Sequence, residues 1–160
     1  MLRRSQLLLI RDRVHRFAQT AASLVELQTY CVSEIAGCPS NYNWVGFYML
    51  DPNDPGTLAL GQFCGAPTQH ARIPVSQGIC GAAVAQGETV VVDDVARDPR
   101  YLACSLETKS EIVVPIRAGN EVVGEIDIDS QSQAAFDEQD RAFLEECADI
   151  VGRFISRNRC

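Results

Sequence analysis

The 160-residue chain has 21 acidic and 14 basic side chains, a formal net charge of −7, and 46% hydrophobic residues. This length suits a single domain over residues 1–160 with a substantial core, and the acidic balance argues against a nucleic-acid partner, because phosphate binding needs clustered lysine and arginine. The apolar run Leu7–Ile10 is too short for a signal segment, and no stretch is long enough to span a membrane. We therefore expect a cytoplasmic protein with no membrane partner.

Two helices are predicted in residues 1–37. The first has Leu2, Leu8, Leu9, Val14 and Phe17 at roughly helical spacing. The second is predicted over about 21–35, with Gln28 on the solvent side and Gly37 as a stop signal. Its predicted apolar face consists of Leu24, Val25, Leu27, Cys31, Val32 and Ile35.

Four strands are predicted to form two antiparallel hairpins. Residues 42–50 alternate, with Trp44, Gly46 and Tyr48 on one face. The turn-rich segment 51–56 predicts a longer loop to a returning strand at 57–63. The second hairpin pairs residues 112–116 with 122–128, which continue into Asp129.

Helical segments at both ends and in the middle of the chain complete the pattern. A short helix is predicted over 78–86, stopped by Gly87, followed by a strand at 89–92. The final amphipathic helix is predicted over 136–157. We therefore predict an α+β fold: an antiparallel sheet over residues 42–130, with the N- and C-terminal helices packed on one face and a loop-built ligand pocket on the other.

The seven cysteines are odd in number and irregularly spaced, which is not typical of a secreted disulfide framework. There is no Cys-x-x-Cys pair and there are only two histidines, so we predict no metal site and no bound cofactor. In a reducing compartment, thiols serve either packing or redox chemistry.

The segment 78–129 holds the residues of greatest chemical interest. Cys80 lies between glycines, so a ligand is expected to approach its sulfur. Cys104 lies in an irregular segment shortly before a strand, and Glu111, Asp127 and Asp129 occupy the strands that follow. The alternative is that both cysteines are small buried hydrophobes and the acids form a solvated strand face.

Four short motifs in this order resemble the GAF domain family and, more closely, the free methionine-(R)-sulfoxide reductases, which consist of one GAF domain. The resemblance runs over most of the chain from Asn43 onward. The motifs are NWVGFY at 43–48, GICG at 78–81, LAC at 102–104 with SEIVVP at 110–115, and GEIDIDS at 124–130.

The resemblance implies reduction of free methionine-(R)-sulfoxide by cysteine chemistry. A thiolate attacks the sulfoxide, a sulfenic acid forms, a second cysteine condenses with it, and thioredoxin reduces the disulfide. Cys80 and Cys104 match the participating cysteines; we favour Cys104 as the attacker and leave the order open.

The resemblance also implies a set of pocket residues. Trp44 and Tyr48 would contact the methyl-thio end of the substrate. Glu111, Asp127 and Asp129 would bind its ammonium group, and one of them would be protonated to donate to the sulfoxide oxygen.

The sequence departs from the family at the third cysteine, whose position holds His70. Cys64 is then a candidate auxiliary resolving thiol. The segment around Cys104 also differs, with Arg100, Tyr101 and Ser105 at positions that the family usually fills otherwise.

Three functional classes follow from these observations. The first is a thioredoxin-linked oxidoreductase, the second a GAF sensor that binds a small ligand without turnover, and the third an interaction scaffold. The resemblance also suggests a homodimer formed through the terminal helices.

Overall fold

The computed structural model describes residues 2–103 and 105–159, so the predicted catalytic residue Cys104 lies outside the described residues. The described residues form four helices and six strands, with a short 3-10 turn at Val95–Arg97. In chain order they are α1 (Leu2–Ala18), α2 (Leu24–Ala36), β1 (Trp44–Asp51), β2 (Asp54–Cys64), β3 (Arg72–Pro74), α3 (Gly78–Gln86), β4 (Val90–Val92), β5 (Ser110–Ala118), β6 (Glu121–Ser130) and α4 (Glu138–Arg157).

The six strands form one antiparallel sheet in the order β3-β2-β1-β6-β5-β4. The two predicted hairpins, β1–β2 and β5–β6, are both present and meet through the β1–β6 pair at the centre of the sheet. Residues from distant parts of the chain are thereby placed side by side on the central strands.

The helices α1, α2 and α4 pack on one face of this sheet, as the α+β prediction requires. Val45 and Phe47 of β1 and Ile126 and Ile128 of β6 are fully buried beneath them. Helix α3 lies on the opposite face, where it packs against Tyr48 and the strands around it. The face opposite the terminal helices is therefore the one available for a pocket.

The predicted inward face of α1 is wrong in part. Leu2, Leu8 and Leu9 are exposed, and the buried positions are instead Leu7, Ile10, Val14 and Ala18. These recur at spacings of three and four residues, which is the stripe that one helix can turn toward its neighbours. The consecutive apolar residues at 7–10 could not all share that stripe.

The predicted orientation of α2 also needs two corrections. Gln28 is buried rather than solvent-facing, and Val25 is exposed. Gln28 faces β2 at Gly61, where an added Cβ would lie only 3.0 Å from the Gln28 Oε1 atom. The missing side chain of Gly61 therefore makes room for a polar residue on the buried face of the helix.

The loop of the first hairpin is shorter than predicted. Asp51 pairs with Asp54, so Pro52 and Asn53 alone form the turn. The Asp51 Oδ1 atom accepts a hydrogen bond from the Asn53 backbone N–H at 2.9 Å, and its Oδ2 atom accepts one from Arg72 at 2.8 Å. This Asx-type bond closes the turn within two residues.

Within the described residues, none of the helices has both the length and the apolar character needed to cross a bilayer.

Candidate functional site

The side chains that face α3 form rows across the three central strands. Trp44, Asp129 and Glu111 stand side by side on β1, β6 and β5. The second row consists of Gly46, Asp127 and Val113. The third row consists of Tyr48, Glu125 and Pro115. Because alternate residues of a strand share a face, the predicted pocket residues come together on one surface.

A cavity of about 90 Å³ opens over these rows. This volume is below the range of about 300–1,000 Å³ typical of drug-sized ligands, so it favours a small ligand. Of the predicted binding residues, Trp44, Tyr48, Asp127 and Asp129 line it. The other lining residues are Asn43, Ala66, Pro67, Thr68, Ser105, Glu107, Thr108 and Gln131.

Glu111 and Cys80 lie behind Asp127 rather than in the open part of the cavity. Ligand atoms of Cys80, Glu111 and Asp127 all lie within 4.8 Å of one another, and all three residues are buried. The Cys80 thiol donates to the Asp127 Oδ2 atom at 3.5 Å. The structure therefore brings one of the two predicted catalytic cysteines into contact with the predicted carboxylates.

The position of Cys80 on α3 explains how it reaches the carboxylates. Helix α3 begins at Gly78, whose φ of 73° is accessible mainly to glycine. Gly81 packs against the backbone of β3, and an added Cβ would lie 2.7 Å from the Val75 carbonyl oxygen. This close approach holds the first turn of the helix against the sheet.

The predicted open approach to the Cys80 sulfur is wrong. Cys80 is the third residue of α3 and only 5% exposed. Its sulfur contacts Asp127, which lines the cavity, but Cys80 itself is not among the lining residues.

The cavity has an aromatic wall made by Trp44 and Tyr48, whose ring centroids are 6.2 Å apart. The Trp44 ring lies across Gly46, because a Cβ at Gly46 would come within 2.3 Å of a Trp44 ring atom. The flat apolar surface predicted for this site therefore depends on the glycine between the two aromatic residues.

Hydrogen bonds connect loop 65–71 to the aromatic wall of the cavity. The Trp44 Nε1–H group donates to the Ala66 carbonyl at 3.0 Å, and the Tyr48 hydroxyl donates to the His70 carbonyl at 2.8 Å. The His70 Nε2 atom is 3.1 Å from the Ala103 carbonyl oxygen. His70 therefore joins this loop to the segment that carries Cys104, and Ser105 of that segment lines the cavity.

The carboxyl groups on the face of the sheet that packs against α3 are buried. Burial raises the pKa of Asp127, while hydrogen bonds with Glu111 and Cys80 lower it in part. Burial also raises the pKa of Asp129 well above its usual range, and the charge on Asp127 raises it further. The cluster therefore favours retention of protons on some of its members at neutral pH.

The Cys80 thiol is likewise held in its neutral form. Burial raises its pKa well above the usual value, and the negative charges of Asp127, Glu125 and Glu111 raise it further. The N-terminus of α3 favours the thiolate only weakly, by about 0.3–1 kcal/mol and up to about 2 kcal/mol when partly buried.

Glu125 is a site residue that sequence reasoning missed. It is 0% exposed, and neither of its carboxylate oxygens has a hydrogen-bond partner in the part of the chain that the structure describes. Burial raises its pKa well above the usual range. The alternation of β6 already placed it on the same face as Asp127 and Asp129, and this was the available signal.

Replacing Glu125 with methionine is expected to raise the free energy of unfolding by about 1–3 kcal/mol, because it removes an unsatisfied buried carboxyl at similar volume. The folded protein retains a proton on Glu125 that the unfolded chain releases above its pKa of about 4.3, so this group lowers stability as pH rises. The gain should therefore be larger at pH 8 than at pH 5 in urea titrations.

The matched control for this prediction is Glu121→Met on the exposed end of the same strand. It should change stability by less than about 0.5 kcal/mol at both pH values. Destabilisation by Glu125→Met, or a gain that does not grow with pH, would show that the carboxyl is stabilised in the fold.

Cys64, the predicted auxiliary thiol, lies outside the cluster. It is exposed at the end of β2 and does not line the cavity. Cys31, Cys38 and Cys147 are buried among the terminal helices, as expected for packing residues. Burial raises the pKa of Cys31 to about 12, which suits a structural thiol.

The GAF domain family model matches residues 9–155. The free methionine-R-sulfoxide reductase of Saccharomyces cerevisiae is 41% identical over 112 residues, which cover 69% of this chain and 62% of that protein. The X-ray structure of the free methionine-R-sulfoxide reductase from Neisseria meningitidis with its substrate has a TM-score of 0.86 and 34% identity, covering 92% of this chain and 88% of that one.

A further solved structure, fRMsr of Staphylococcus aureus in complex with substrate, has a TM-score of 0.84 and 31% identity, covering 93% of this chain and 95% of that one. The family model and the two structural similarities extend over nearly the whole fold, whereas the sequence match to the yeast protein covers 69% of this chain. The chain belongs to the GAF domain family, and within it to the group of the free methionine-R-sulfoxide reductases.

Proposed function

We propose that this protein reduces free methionine-(R)-sulfoxide to methionine with Cys80 and Cys104 as its redox pair and thioredoxin as the external reductant. The observation that carries the proposal is the convergence of the Cys80 thiol with Glu111 and Asp127 beside a small cavity that Asp127 lines. Relatives whose names state this activity, and whose structures contain their substrate, share the fold over 92% and 93% of this chain.

The substrate is proposed to lie with its methyl-thio end against Trp44 and Tyr48. These rings provide an apolar surface of the right size for a thioether or sulfoxide. Asp129 lines the same cavity and is proposed to accept hydrogen bonds from the ammonium group. A free amino acid has this group, whereas a residue within a polypeptide does not, which accounts for selectivity toward the free form.

The reaction proceeds in two steps that release one water molecule. In the first, the Cys104 sulfur attacks the sulfoxide sulfur, oxygen passes to the cysteine as a sulfenic acid with uptake of one proton, and methionine leaves. In the second, the Cys80 sulfur attacks Cys104, a disulfide forms, and the hydroxyl leaves as water. Thioredoxin then supplies two electrons and two protons by thiol–disulfide exchange.

The setting of Cys80 supports its assignment to the second step. It is buried and donates to a carboxylate, and such a setting disfavours the thiolate needed for the first attack. Asp127 is positioned to take the thiol proton and pass it to the leaving hydroxyl. The attacking role is proposed for Cys104 because it matches the second participating cysteine of the family.

The test is a coupled assay with thioredoxin, thioredoxin reductase and NADPH. The wild-type protein should consume NADPH with free methionine-(R)-sulfoxide, and not with the (S) epimer or with a peptide that contains methionine sulfoxide. Cys80→Ser and Cys104→Ser should each abolish or cripple this turnover, because either change leaves the disulfide cycle incomplete.

The control is Cys64→Ser, which removes an exposed thiol that does not line the cavity. It should retain wild-type turnover. If the wild-type protein consumes no NADPH with the (R) sulfoxide, the reductase proposal is wrong. If Cys64→Ser also loses turnover, Cys64 takes the resolving role.

A second candidate function is a sensor that binds a small molecule without turnover. The buried, neutral setting of Cys80 favours this candidate, since it opposes thiol reactivity. A sensor would show ligand-induced thermal stabilisation by methionine or its sulfoxide with no NADPH consumption in the coupled assay.

A further inference from the structure

The base of the cavity contains three donor atoms suited to a metal ion. The Cys80 sulfur and a carboxylate oxygen from each of Glu111 and Asp127 lie within 4.8 Å of one another. Zinc bonds of 2.3 Å to sulfur and about 2.0 Å to oxygen place two tetrahedral ligands about 3.5 Å apart. The Cys80 sulfur and the Asp127 Oδ2 atom are 3.5 Å apart.

Unsatisfied buried carboxyl oxygens in this region give an independent indication of cation binding. Asp127 is 4% exposed, and its Oδ1 atom has no hydrogen-bond partner among residues 2–103 and 105–159. Glu125, which lies on the same face of β6 as Asp127, is fully buried, and neither of its carboxyl oxygens has a hydrogen-bond partner among the described residues. Buried acidic oxygens are normally paired or bound to a metal, because an unpaired charge is costly away from water.

We propose that the reduced protein binds a divalent cation of borderline softness, with Zn²⁺ as the preferred ion and Cys80, Glu111 and Asp127 as its three protein ligands. One thiolate and two carboxylates suit Zn²⁺ better than Mg²⁺ or Ca²⁺, which bind oxygen alone. On binding, the sulfur–hydrogen bond breaks, a sulfur–zinc bond forms and the proton leaves to solvent. No electron transfer is involved.

The geometry places the site beside the cavity and leaves an open coordination position. Asp127 lines the cavity and is also one of the three ligands, so the proposed site adjoins the cavity. Three protein ligands leave the fourth tetrahedral position for a water molecule. The sequence did not indicate this site because its donors belong to α3, β5 and β6 and meet only in the folded sheet.

Zinc binding would block the thiol that forms the disulfide. This consequence rests on the proposed reductase function: a Cys80 sulfur bonded to zinc is not free to attack the oxidised partner cysteine. Zinc would then be a reversible inhibitor that chelation removes.

The test uses Co²⁺ as a spectroscopic probe of the reduced, substrate-free protein. Wild type should bind one Co²⁺ and show a sulfur-to-cobalt charge-transfer band with tetrahedral visible absorption, and Zn²⁺ should abolish both because it binds such sites more tightly. Cys80→Ser should lack the charge-transfer band. Asp127→Asn should weaken binding by more than about tenfold, since even outer-shell changes cost about 10–100-fold.

The matched control is Cys64→Ser, which should retain the band and the affinity of wild type. Thermal unfolding provides a check on folding: Zn²⁺ should raise the melting temperature of wild type and of Cys64→Ser more than that of Cys80→Ser. Persistence of the charge-transfer band in Cys80→Ser, or its absence in wild type at millimolar Co²⁺, would overturn the proposal.

The cobalt measurement needs neither substrate nor thioredoxin, so it can fail or succeed independently of the reductase assay. If the protein binds Co²⁺ through Cys80 but consumes no NADPH, the metal-site proposal stands and the reductase proposal is wrong. If the protein consumes NADPH but shows no charge-transfer band with Co²⁺, the reductase proposal stands and the metal-site proposal is wrong.

Discussion

Replacement of Asp127 by asparagine is expected to lower kcat/KM for free methionine-(R)-sulfoxide by about 10²–10⁴-fold, the range associated with loss of a general acid or base. Asp127 lines the cavity, accepts the Cys80 hydrogen bond and is hydrogen-bonded with Glu111. Asparagine keeps the shape of the side chain but cannot transfer a proton. The loss should appear in kcat, since proton transfer belongs to the transition state.

Glu121→Gln is the matched control for Asp127→Asn, because it neutralises an exposed acid on the same strand. The control should leave kcat/KM within about twofold of wild type, and circular dichroism should show that both variants are folded. A decrease of less than about threefold in Asp127→Asn would mean that another group supplies the proton.

Replacement of Asp140 by alanine is expected to lower the free energy of unfolding by about 2–4 kcal/mol, because it removes a buried acceptor of several hydrogen bonds. Asp140 is fully buried and pairs with Arg3. It accepts the Tyr42 hydroxyl at 2.5 Å and the Asp137 backbone N–H at 2.8 Å. The change would leave three donors unsatisfied where α1, α4 and the start of the sheet meet.

Urea unfolding of Asp140→Ala should be compared with that of Asp149→Ala. Asp149 lies on the same helix, and its side chain is 71% exposed. The control should change stability by no more than about 0.5 kcal/mol. A loss below about 1 kcal/mol in Asp140→Ala would show that Arg3 and Tyr42 find other partners or water.

The local sequence pattern was sufficient to predict the helix and the strands that carry the site residues. The glycines at 78 and 87 bound α3 at the residues predicted, since one begins the helix with positive φ and the other ends it in the left-handed conformation. Alternation correctly placed Trp44 and Tyr48 on one face of β1, and Asp127 and Asp129 on one face of β6. These features depend only on neighbouring residues, which a single sequence contains.

The features that were missed depend on contacts between distant segments. Gln28 is buried because Gly61 on another element leaves space for it, and nothing near Gln28 in the sequence indicates this. Glu125 shares its face with Asp127 and Asp129, but only the packing of α3 makes it fully buried. The burial of Cys80 likewise follows from the contact of Gly81 with the backbone at Val75.

Mass mapping of the reduced protein after one equivalent of free methionine-(R)-sulfoxide tests most directly whether Cys80 belongs to a redox pair. The structure places the Cys80 sulfur against Asp127 at the cavity. We predict one equivalent of methionine and one disulfide joining Cys80 to Cys104, with Cys64 still alkylatable. Release of no methionine, or a Cys80 thiol that remains reduced after methionine is released, would contradict the account.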